Sequence, residues 1–395
     1  MSKIKVVLVA GSFTSANVNV MLSVIRSIYT EVDIHIVAVQ NYKDEIIESG
    51  KGLFCHPVTS IRWRFLQKMK YSTNFTLLCR AINVLCNYTF RIIDNFFPSS
   101  MENAIYRECE TLIKQEGISH IFSVSDPFYS HRVSGKLAEY YNIKWSPVWL
   151  DSYSNGFCKQ SRIWEWSSLI YEDRIFKKAP NIYAIDSSFV GNKLIHKYVY
   201  KVKNFRIPYL EEFPVGYNNK NIIYAGLLNN TNRNPYPTLY FFLRAIPKLS
   251  EDVLFHFYVR TPDEYIQFVN KSNGRIQFHP FVSRSELKQL MSDCYMCLII
   301  GNAISFQLPS KVIESISYRK PILFFYTQEN DPSFEFLNNY PDIFIQDITS
   351  VSEEDIDKFV AYLNKEHPII PYSQLIANSK YKECTPASVK NIFLS

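Results

Sequence analysis

Short, nearly continuous apolar runs alternate along this chain with segments whose apolar residues recur every three or four positions. Continuous runs are typical of strands buried on both faces of a parallel sheet, and the second pattern is typical of amphipathic helices. The strands predicted in the first half of the chain are residues 3–10, 33–39, 119–124, 145–150 and 181–185. Those predicted in the second half are residues 221–225, 253–259, 276–281, 295–300 and 322–326.

This alternation predicts an α/β fold with a doubly wound parallel sheet in each half. The length of 395 residues favours two domains over a single core. The stretch 205–221 carries Pro208, Pro214 and Gly216, which is typical of a domain connection. We therefore place the domains at residues 1–212 and 218–365.

The composition is that of a folded globular protein, with 47% hydrophobic residues and a net charge of +6. This modest charge, without a recognition motif, disfavours nucleic-acid binding. Cys294 and Cys297 lie in an apolar run, so we interpret them as buried thiols. The alternative is a metal site. The apolar stretch 6–10 is too short for a secretory signal and no run reaches membrane-spanning length, so we expect a cytoplasmic protein.

The segment 307–321 predicts a short helix between two strands of the second half. Ser310 is the expected N-cap, and Lys311 lies in the first turn, where free amides already favour an anion. Glu314 and Ser315 follow one turn later. A cation beside a carboxylate suits a diphosphate next to a ribose diol. The alternative is a surface helix with a Lys–Glu pair worth about 0.2–0.5 kcal/mol.

The order Pro-x-Lys-x-x-Glu from Pro309 to Glu314, followed by Lys320-Pro321 and an apolar strand, resembles the nucleotide-sugar site of glycosyltransferase family 4. In that family the Glu binds the ribose of the donor, which implies this role for Glu314. The resemblance also implies the GT-B architecture, two Rossmann-like domains facing across a cleft, with the acceptor bound by the first. It further implies that the tail 372–395 packs on the first domain.

A second element of the resemblance is a strand followed by a glycine and then by a loop with an arginine. Here the strand 221–225 is followed by Gly226 and by a loop that reaches Arg233. Glycine lets the backbone approach a ligand closely, and arginine can grip a phosphate with two hydrogen bonds. The Lys that usually follows the Arg is missing, since Asn234 begins a Pro-rich stretch there, and Lys311 is the candidate to replace it. The alternative for Arg233 is a solvated loop cation.

One departure concerns the paired glutamates of the family. The position eight residues before Glu314 holds Phe306 instead of the first Glu. A direct transfer of the family's catalytic roles therefore stays open.

In the first half, Asp126 and Asp151 follow predicted strands, and His131 opens a helix. The run from Ser123 to His131, followed by a strand that ends in Asp151, resembles a run of capsule- and O-antigen-type members of the family. The resemblance implies that Asp151 or Asp126 orients an acceptor hydroxyl and that His131 polarises or positions one. The alternatives are an N-capping Asp126 and a structural His131. Gly11 and Ser12, after the first strand, match the family's acceptor-side glycine loop.

The sequence contains no Walker A motif. Asp355-x-Asp357 matches the metal-binding triplet of the other main glycosyltransferase fold, but it opens an acidic amphipathic helix, so we interpret it as a solvated face. We therefore expect transfer without a metal or cofactor, with the nucleotide sugar as substrate.

The charge is concentrated in residues 60–97, where six cations stand against Asp94 as the one acid, a net charge of +5. Aromatic residues are interleaved, which suits an anionic membrane surface. The cations expected to contact it include Arg62, Arg64, Lys68 and Lys70. The alternative is a set of aromatic core helices with a basic solvent face.

Together these patterns favour a glycosyltransferase that moves a sugar from a nucleotide-sugar donor to a glycan or lipid-linked acceptor. The resemblance implies bacterial surface-polysaccharide assembly, retention of anomeric configuration, and a place on the inner face of the cytoplasmic membrane. Two alternatives stay open: a non-catalytic nucleotide-sugar-binding scaffold, and a nucleotide-sugar epimerase of the same fold.

Overall fold

The structure, a computed structural model, describes residues 3–11, 13, 16–39, 52–60, 64, 89, 92–125, 129–150, 162–185, 194–216, 220–228, 233–303 and 308–394. The chain forms two compact units. The first comprises Met1–Pro208 together with Pro386–Ser395, and the second comprises Tyr209–Thr385.

The first unit is built on a parallel sheet of seven strands. They are β1 (Ile4–Ala10), β2 (Val32–Val39), β3 (Leu53–Val58), β4 (His120–Val124), β5 (Lys144–Trp149), β6 (Ile182–Ile185) and β7 (Val202–Phe205). Their order across the sheet is β3-β2-β1-β4-β5-β6-β7, and all pairings are parallel. The order reverses between β1 and β4, so ligands are expected beyond the carboxyl ends of these strands.

Helices cover the faces of this sheet. In chain order they are α1 (Ala16–Ile28), α2 (Ser100–Glu116), α3 (Tyr129–Tyr141), α4 (Arg162–Lys178) and α5 (Ile195–Tyr198), with a 3-10 turn at Val199–Lys201. The burial explains the apolar runs, because residues 6–10 of β1 are fully inaccessible to solvent. A capping box formed by Ser99 and Glu102 starts α2, and Gly117 ends it with φ of 67°.

The second unit has a parallel sheet of six strands. They are β8 (Asn221–Ala225), β9 (Leu254–Tyr258), β10 (Ile276–His279), β11 (Met296–Ile300), β12 (Ile322–Tyr326) and β13 (Ile343–Asp347). Their order is β10-β9-β8-β11-β12-β13, so the switch point lies between β8 and β11. The core is aromatic: Phe242 stacks on Phe255 with ring centroids 4.2 Å apart.

The helices that follow complete the chain. They are α6 (Tyr236–Ala245), α7 (Ile266–Lys271), α8 (Arg284–Asp293), α9 (Ser310–Ser317), α10 (Pro332–Leu337), α11 (Glu353–Leu363), α12 (Tyr372–Ala377), α13 (Ser379–Lys382) and α14 (Pro386–Leu394), with 3-10 turns at Ile246–Lys248 and Pro262–Tyr265. The expected pair of doubly wound α/β sheets is confirmed.

The tail of the chain is divided between the units. Helices α12 and α13 lie in the second unit, whereas α14 lies in the first. There the ring of Phe393 stacks on Tyr183 with centroids 3.9 Å apart, and Lys144 Nζ donates to the Phe393 carbonyl at 3.2 Å. Among the described residues, no helix combines the length and the apolar character that a membrane span requires.

Candidate functional site

A recess in the second unit lies where β8 and β11 end, the edge at which open α/β sheets bind ligands. Arg233, Lys311, Glu314 and Ser315 line it together with apolar residues from α8 and β11, and we call it the α9 recess. The described residues enclose about 30 Å³, which is room for a water molecule or two. A recess of this size has room only for the edge of a larger ligand.

Helix α9 forms one wall of this recess. Pro309 is its N-cap, with φ of −64° and ψ of 134° and no side-chain hydrogen bond, and Ser310 is the first helical residue. The expectation that Ser310 caps the helix is therefore wrong, because proline already sets the extended backbone needed there. Val312 and Ile316 anchor the helix in the core with 0% and 1% exposure.

Lys311 and Glu314 form the predicted pair on the exposed side of α9. Lys311 Nζ lies 2.8 Å from Glu314 Oε2, and the two side chains keep 40% and 19% of their surface exposed. Ser315 lies one residue further on and is buried. The alternative interpretation of this helix expected a Lys–Glu pair, and that pair exists. It lines a recess at the carboxyl edge of the sheet, however.

Glu314 acts electrostatically on two tyrosines, Tyr209 and Tyr318, and Arg284 lies beside the first of them. Burial raises the pKa of Tyr209 to about 12; the charge of Arg284 opposes the shift, and that of Glu314 adds to it. Burial and then the charge of Glu314 raise the pKa of Tyr318 as well. The Arg284 guanidinium lies 5.6 Å from the centre of the Tyr209 ring. Both phenols therefore remain protonated hydrogen-bond donors beside the carboxylate.

Arg233 is held at the recess by Tyr224, the next-to-last residue of β8. Burial raises the pKa of Tyr224 to about 12, against the charge of Arg233 and a side-chain hydrogen bond between the two. The Tyr224 hydroxyl donates to the Leu227 carbonyl at 3.1 Å. A Cβ at Gly226 would stand 3.0 Å from that hydroxyl, so the glycine makes room for the tyrosine.

Asp331 fixes Gly301 and Asn302, the two residues that directly follow β11. One carboxylate oxygen of Asp331 accepts from the Asn302 N–H at 2.6 Å, and the other accepts from the Ser333 N–H at 2.8 Å as the cap of α10. A Cβ at Gly301 would meet the Asp331 carboxylate at 2.7 Å. Burial raises the pKa of Asp331, and the charge of Arg233 opposes the shift, which places Arg233 near this carboxylate.

His131 lies inside the first unit rather than at a surface. It has 0% exposure, its Nδ1 lies 2.8 Å from Ser123 Oγ, and its ring stacks on Trp149 with centroids 4.1 Å apart. The Trp145 indole donates to the same Ser123 hydroxyl at 2.9 Å. Burial lowers the pKa of His131 to about 3, so the imidazole is neutral at physiological pH. A positioning role fits these contacts.

The other candidates of the first half are only partly described. Gly11 directly follows β1, whereas Ser12, Asp126 and Asp151 lie outside the described residues. Phe306 of the second half also lies outside them. Their proposed roles stay predictions.

The acidic pair of α11 has structural roles. Asp355 completes a capping box with Ser352, and Asp357 pairs with Lys248 at 2.8 Å. Cys294 and Cys297 are buried free thiols. No group of three or more His, Cys, Asp or Glu side chains that could hold a metal ion occurs in the described part of the chain.

The end of the basic segment forms an exposed apolar patch with the start of α4. Its members are Ile93, Phe97, Ile163 and Trp166, with 44%, 67%, 61% and 58% of their surface exposed. Arg64 is exposed, and Arg62, Lys68 and Lys70 lie outside the described residues.

Polar contacts hold this patch rigidly. Arg132 donates to the carbonyls of Asp94 at 2.7 Å and Phe97 at 3.1 Å, while its Nε donates to Glu102 at 2.9 Å. The Asn95 amide donates to Ser167 of α4 at 2.9 Å. The apolar side chains therefore project from a fixed frame.

No family model and no curated protein matches the chain in sequence. Solved structures do match it in fold. A TarM variant from S. aureus, in complex with fondaparinux, α-GlcNAc-glycerol and UDP, superposes with a TM-score of 0.57 at 9% identity, over 100% of this chain and 99% of that one.

Two further structures match over nearly their full length. The glycotransferase of kitacinnamycin has a TM-score of 0.56 at 9% identity, over 100% of this chain and 99% of that one. A protein described as a UDP-N-acetylglucosamine 2-epimerase from Listeria monocytogenes has a TM-score of 0.52 at 11% identity, over 100% of this chain and 95% of that one. At such identities these likenesses show the fold alone, two Rossmann-like α/β domains of the kind found in GT-B enzymes.

Proposed function

We propose that this protein is a glycosyltransferase that uses a nucleotide-sugar donor, and that the nucleoside diphosphate binds at the α9 recess. The observation that carries the proposal is the pair of Lys311 and Glu314, 2.8 Å apart, on the wall of a recess at the carboxyl edge of the sheet. Glu314 would accept hydrogen bonds from the ribose hydroxyls. Lys311 and Arg233 would bind the phosphate oxygens.

During transfer, the bond between the sugar C1 and the diphosphate oxygen breaks, and the diphosphate keeps the bonding electrons. The acceptor hydroxyl oxygen forms the new bond to C1, and its proton passes through a phosphate oxygen of the leaving diphosphate to water. Negative charge therefore grows on the leaving diphosphate, where Lys311, Arg233 and the first amides of α9 stabilise it. We include in the proposal that no metal is needed for this stabilisation, and that the resemblance to family 4 implies retention.

The acceptor belongs to the first unit in this proposal. Asp126 and Asp151 follow β4 and β5, and Gly11 and Ser12 follow β1, so all four lie in sequence at the carboxyl ends of neighbouring strands. Acceptor hydroxyls are the groups that such carboxylates and amides bind. His131, being buried, would position this edge through Ser123 instead of touching the acceptor.

We further propose a glycan or lipid-linked acceptor of bacterial surface-polysaccharide assembly, used at the inner face of the cytoplasmic membrane. The exposed apolar patch supports this, because it adjoins a segment with a net charge of +5 in residues 60–97. Aromatic side chains at an interface beside cations suit an anionic bilayer.

A thermal-shift screen of nucleotides and nucleotide sugars tests the proposal on the full chain. A bound donor stabilises the folded state by about 2.7 kcal/mol at a hundredfold excess over its dissociation constant. The stabilising donor is then incubated with a lipid-linked acceptor fraction, and glycosylated product is expected. A chain that none of the nucleotides stabilises would not be a nucleotide-sugar enzyme.

A second candidate function, epimerisation of a nucleotide sugar, is favoured by the fold shared with the Listeria monocytogenes protein. Incubation of one nucleotide sugar without any acceptor separates the two, because only an epimerase then releases an epimerised sugar. A non-catalytic scaffold would bind the nucleotide sugar but form no product in either assay.

A further inference from the structure

Asn302 is a buried polar residue whose hydrogen bonding is incomplete. It follows β11 by two positions and keeps 3% of its surface exposed. Its side-chain carbonyl, Oδ1, has no hydrogen-bond partner within the described parts of the chain. Buried acceptors are normally satisfied, so an unsatisfied one at the ligand-binding edge of a sheet points to a ligand.

The backbone that carries Asn302 is held in place from both sides. The Gly301 N–H donates to the Phe325 carbonyl at 2.7 Å, and the Asn302 N–H donates to Asp331 at 2.6 Å. Asp331 is itself 2% exposed and fixed to α10 through Ser333. These hydrogen bonds fix the backbone frame from which the unsatisfied side chain extends.

This frame adjoins the proposed diphosphate site. The charge of Arg233 acts on Asp331, and both Arg233 and Ile300 line the α9 recess. Glu314, the proposed ribose partner, lies on α9 instead. Asn302 follows Ile300 by two residues and thus lies just beyond the β11 side of the recess lining.

The chemistry of the atom selects the group it binds. An amide carbonyl accepts hydrogen bonds and donates none, so it cannot pair with the oxygens of an ionised diphosphate. The sugar of a nucleotide sugar, in contrast, carries several hydroxyl donors. Resting on the function proposed above, we propose that Asn302 Oδ1 accepts a hydrogen bond from the sugar that is transferred, and that Asp331 positions it for this purpose.

The test compares nucleotide sugars with the matching nucleoside diphosphates. Dissociation constants for UDP, UDP-glucose, UDP-N-acetylglucosamine, GDP and GDP-mannose are measured by calorimetry on the wild-type chain, Asn302→Leu and Asn302→Ser. We expect the affinity of the variants for the nucleotide sugar to fall about 2- to 13-fold, the effect of one neutral hydrogen bond. Their affinity for the nucleoside diphosphate should stay within twofold of the wild type.

A second readout separates this role from a structural one. Leucine has the same branched outline of four side-chain heavy atoms without an acceptor, so the melting temperature of ligand-free Asn302→Leu should equal or exceed that of the wild type. A lower melting temperature with unchanged discrimination between sugar and diphosphate would make Asn302 structural and overturn the inference. Equal weakening of nucleoside diphosphate and nucleotide sugar would overturn it as well.

The outcome also distinguishes this inference from the function beneath it. If the wild type binds neither nucleoside diphosphates nor nucleotide sugars, both fall together. If it binds both and the Asn302 variants discriminate as the wild type does, the proposed function stands and the assignment of Asn302 fails. Asn364→Ala, an exposed asparagine of the same unit, serves as the control and should change neither affinity.

Discussion

Lys311 Nζ lies 2.8 Å from Glu314 Oε2, one turn apart on α9, and both side chains line the same recess. With 40% of the lysine side chain exposed, the pair is worth little to stability, about 0–1 kcal/mol for a surface ion pair. Each partner can therefore exchange the other for a ligand group at small cost. This low cost suits the pair to the proposed donor, which offers an anion beside hydroxyl groups.

Removing one hydroxyl beside Arg233 should weaken donor binding. Tyr224→Phe deletes the group that hydrogen-bonds Arg233 and leaves the Leu227 carbonyl without its donor. We expect the donor's dissociation constant to rise about 2- to 13-fold, since Arg233 is no longer held at the recess. Calorimetry on the variant measures this.

The control for that experiment is Tyr265→Phe, another tyrosine of this unit with 2% exposure, whose ring packs on Phe278. It should leave the dissociation constant unchanged. Equal effects of the two variants would show that Tyr224 acts only through general packing.

Acidification should destabilise the first unit through His120 and His131. Burial lowers the pKa of each to about 3, whereas an unfolded chain binds these protons below about pH 6.5. The stability that neutral imidazoles contribute is therefore present above pH 6.5 and is lost as pH falls from 6.5 towards 3. At pH 5, the protonation of each histidine lowers the free energy of unfolding by up to about 2 kcal/mol.

Tryptophan fluorescence reports this loss selectively, because all five tryptophans belong to the first half of the sequence. Urea unfolding of wild type and His131→Gln is followed at pH 7 and pH 5. Between pH 7 and pH 5, the free energy of unfolding of the variant should fall by about 2 kcal/mol less than that of the wild type. An identical loss in both proteins would place the titrating groups elsewhere.

Membrane binding is predicted to need both the basic segment and the exposed apolar patch. Reversing Arg62, Arg64, Lys68 and Lys70 to Glu should weaken binding to anionic vesicles at least a hundredfold, at about 1 kcal/mol per cation. Phe97→Ser with Trp166→Ser should weaken it too. Co-sedimentation with vesicles of increasing phosphatidylserine content measures both effects.

The matched control replaces two exposed apolar residues of the second unit, Tyr240→Ser with Ile266→Ser. It should leave vesicle binding intact, and salt should weaken wild-type binding because exposed charges are screened. Binding that ignores the charge reversals and the salt would leave residues 60–97 without a membrane role.

The central strands were predictable from sequence, whereas three of the four edge strands, β3, β7 and β13, were not. β1, β4, β11 and β12 are buried on both faces and therefore read as continuous apolar runs. β3 contains His56 and Pro57, and β7 contains Lys203 and Asn204, because one side of an edge strand meets solvent or loops. Such strands lack the apolar run that identifies their neighbours.

Some residues of the candidate site were likewise predictable from sequence, and others were not. Lys311 and Glu314 are three residues apart on one helix, so their spacing alone predicts that they meet. Tyr209, Arg284 and Asp331 reach the site from other elements, and only the sheet topology brings them there. Asn302 is a candidate only because its buried side-chain carbonyl lacks a hydrogen-bond partner among the described residues, and no sequence pattern reveals that.

The most direct test of this account is the donor's dissociation constant for Glu314→Gln, measured by calorimetry. Glu354→Gln is the control, since Glu354 forms an exposed pair with Lys358 at 2.7 Å on α11. Loss of charge-assisted hydrogen bonds to the ribose should weaken donor binding about 10- to 150-fold in Glu314→Gln and leave the control unchanged. Donor binding by Glu314→Gln within twofold of the wild type would contradict the assignment of the α9 recess as the donor site.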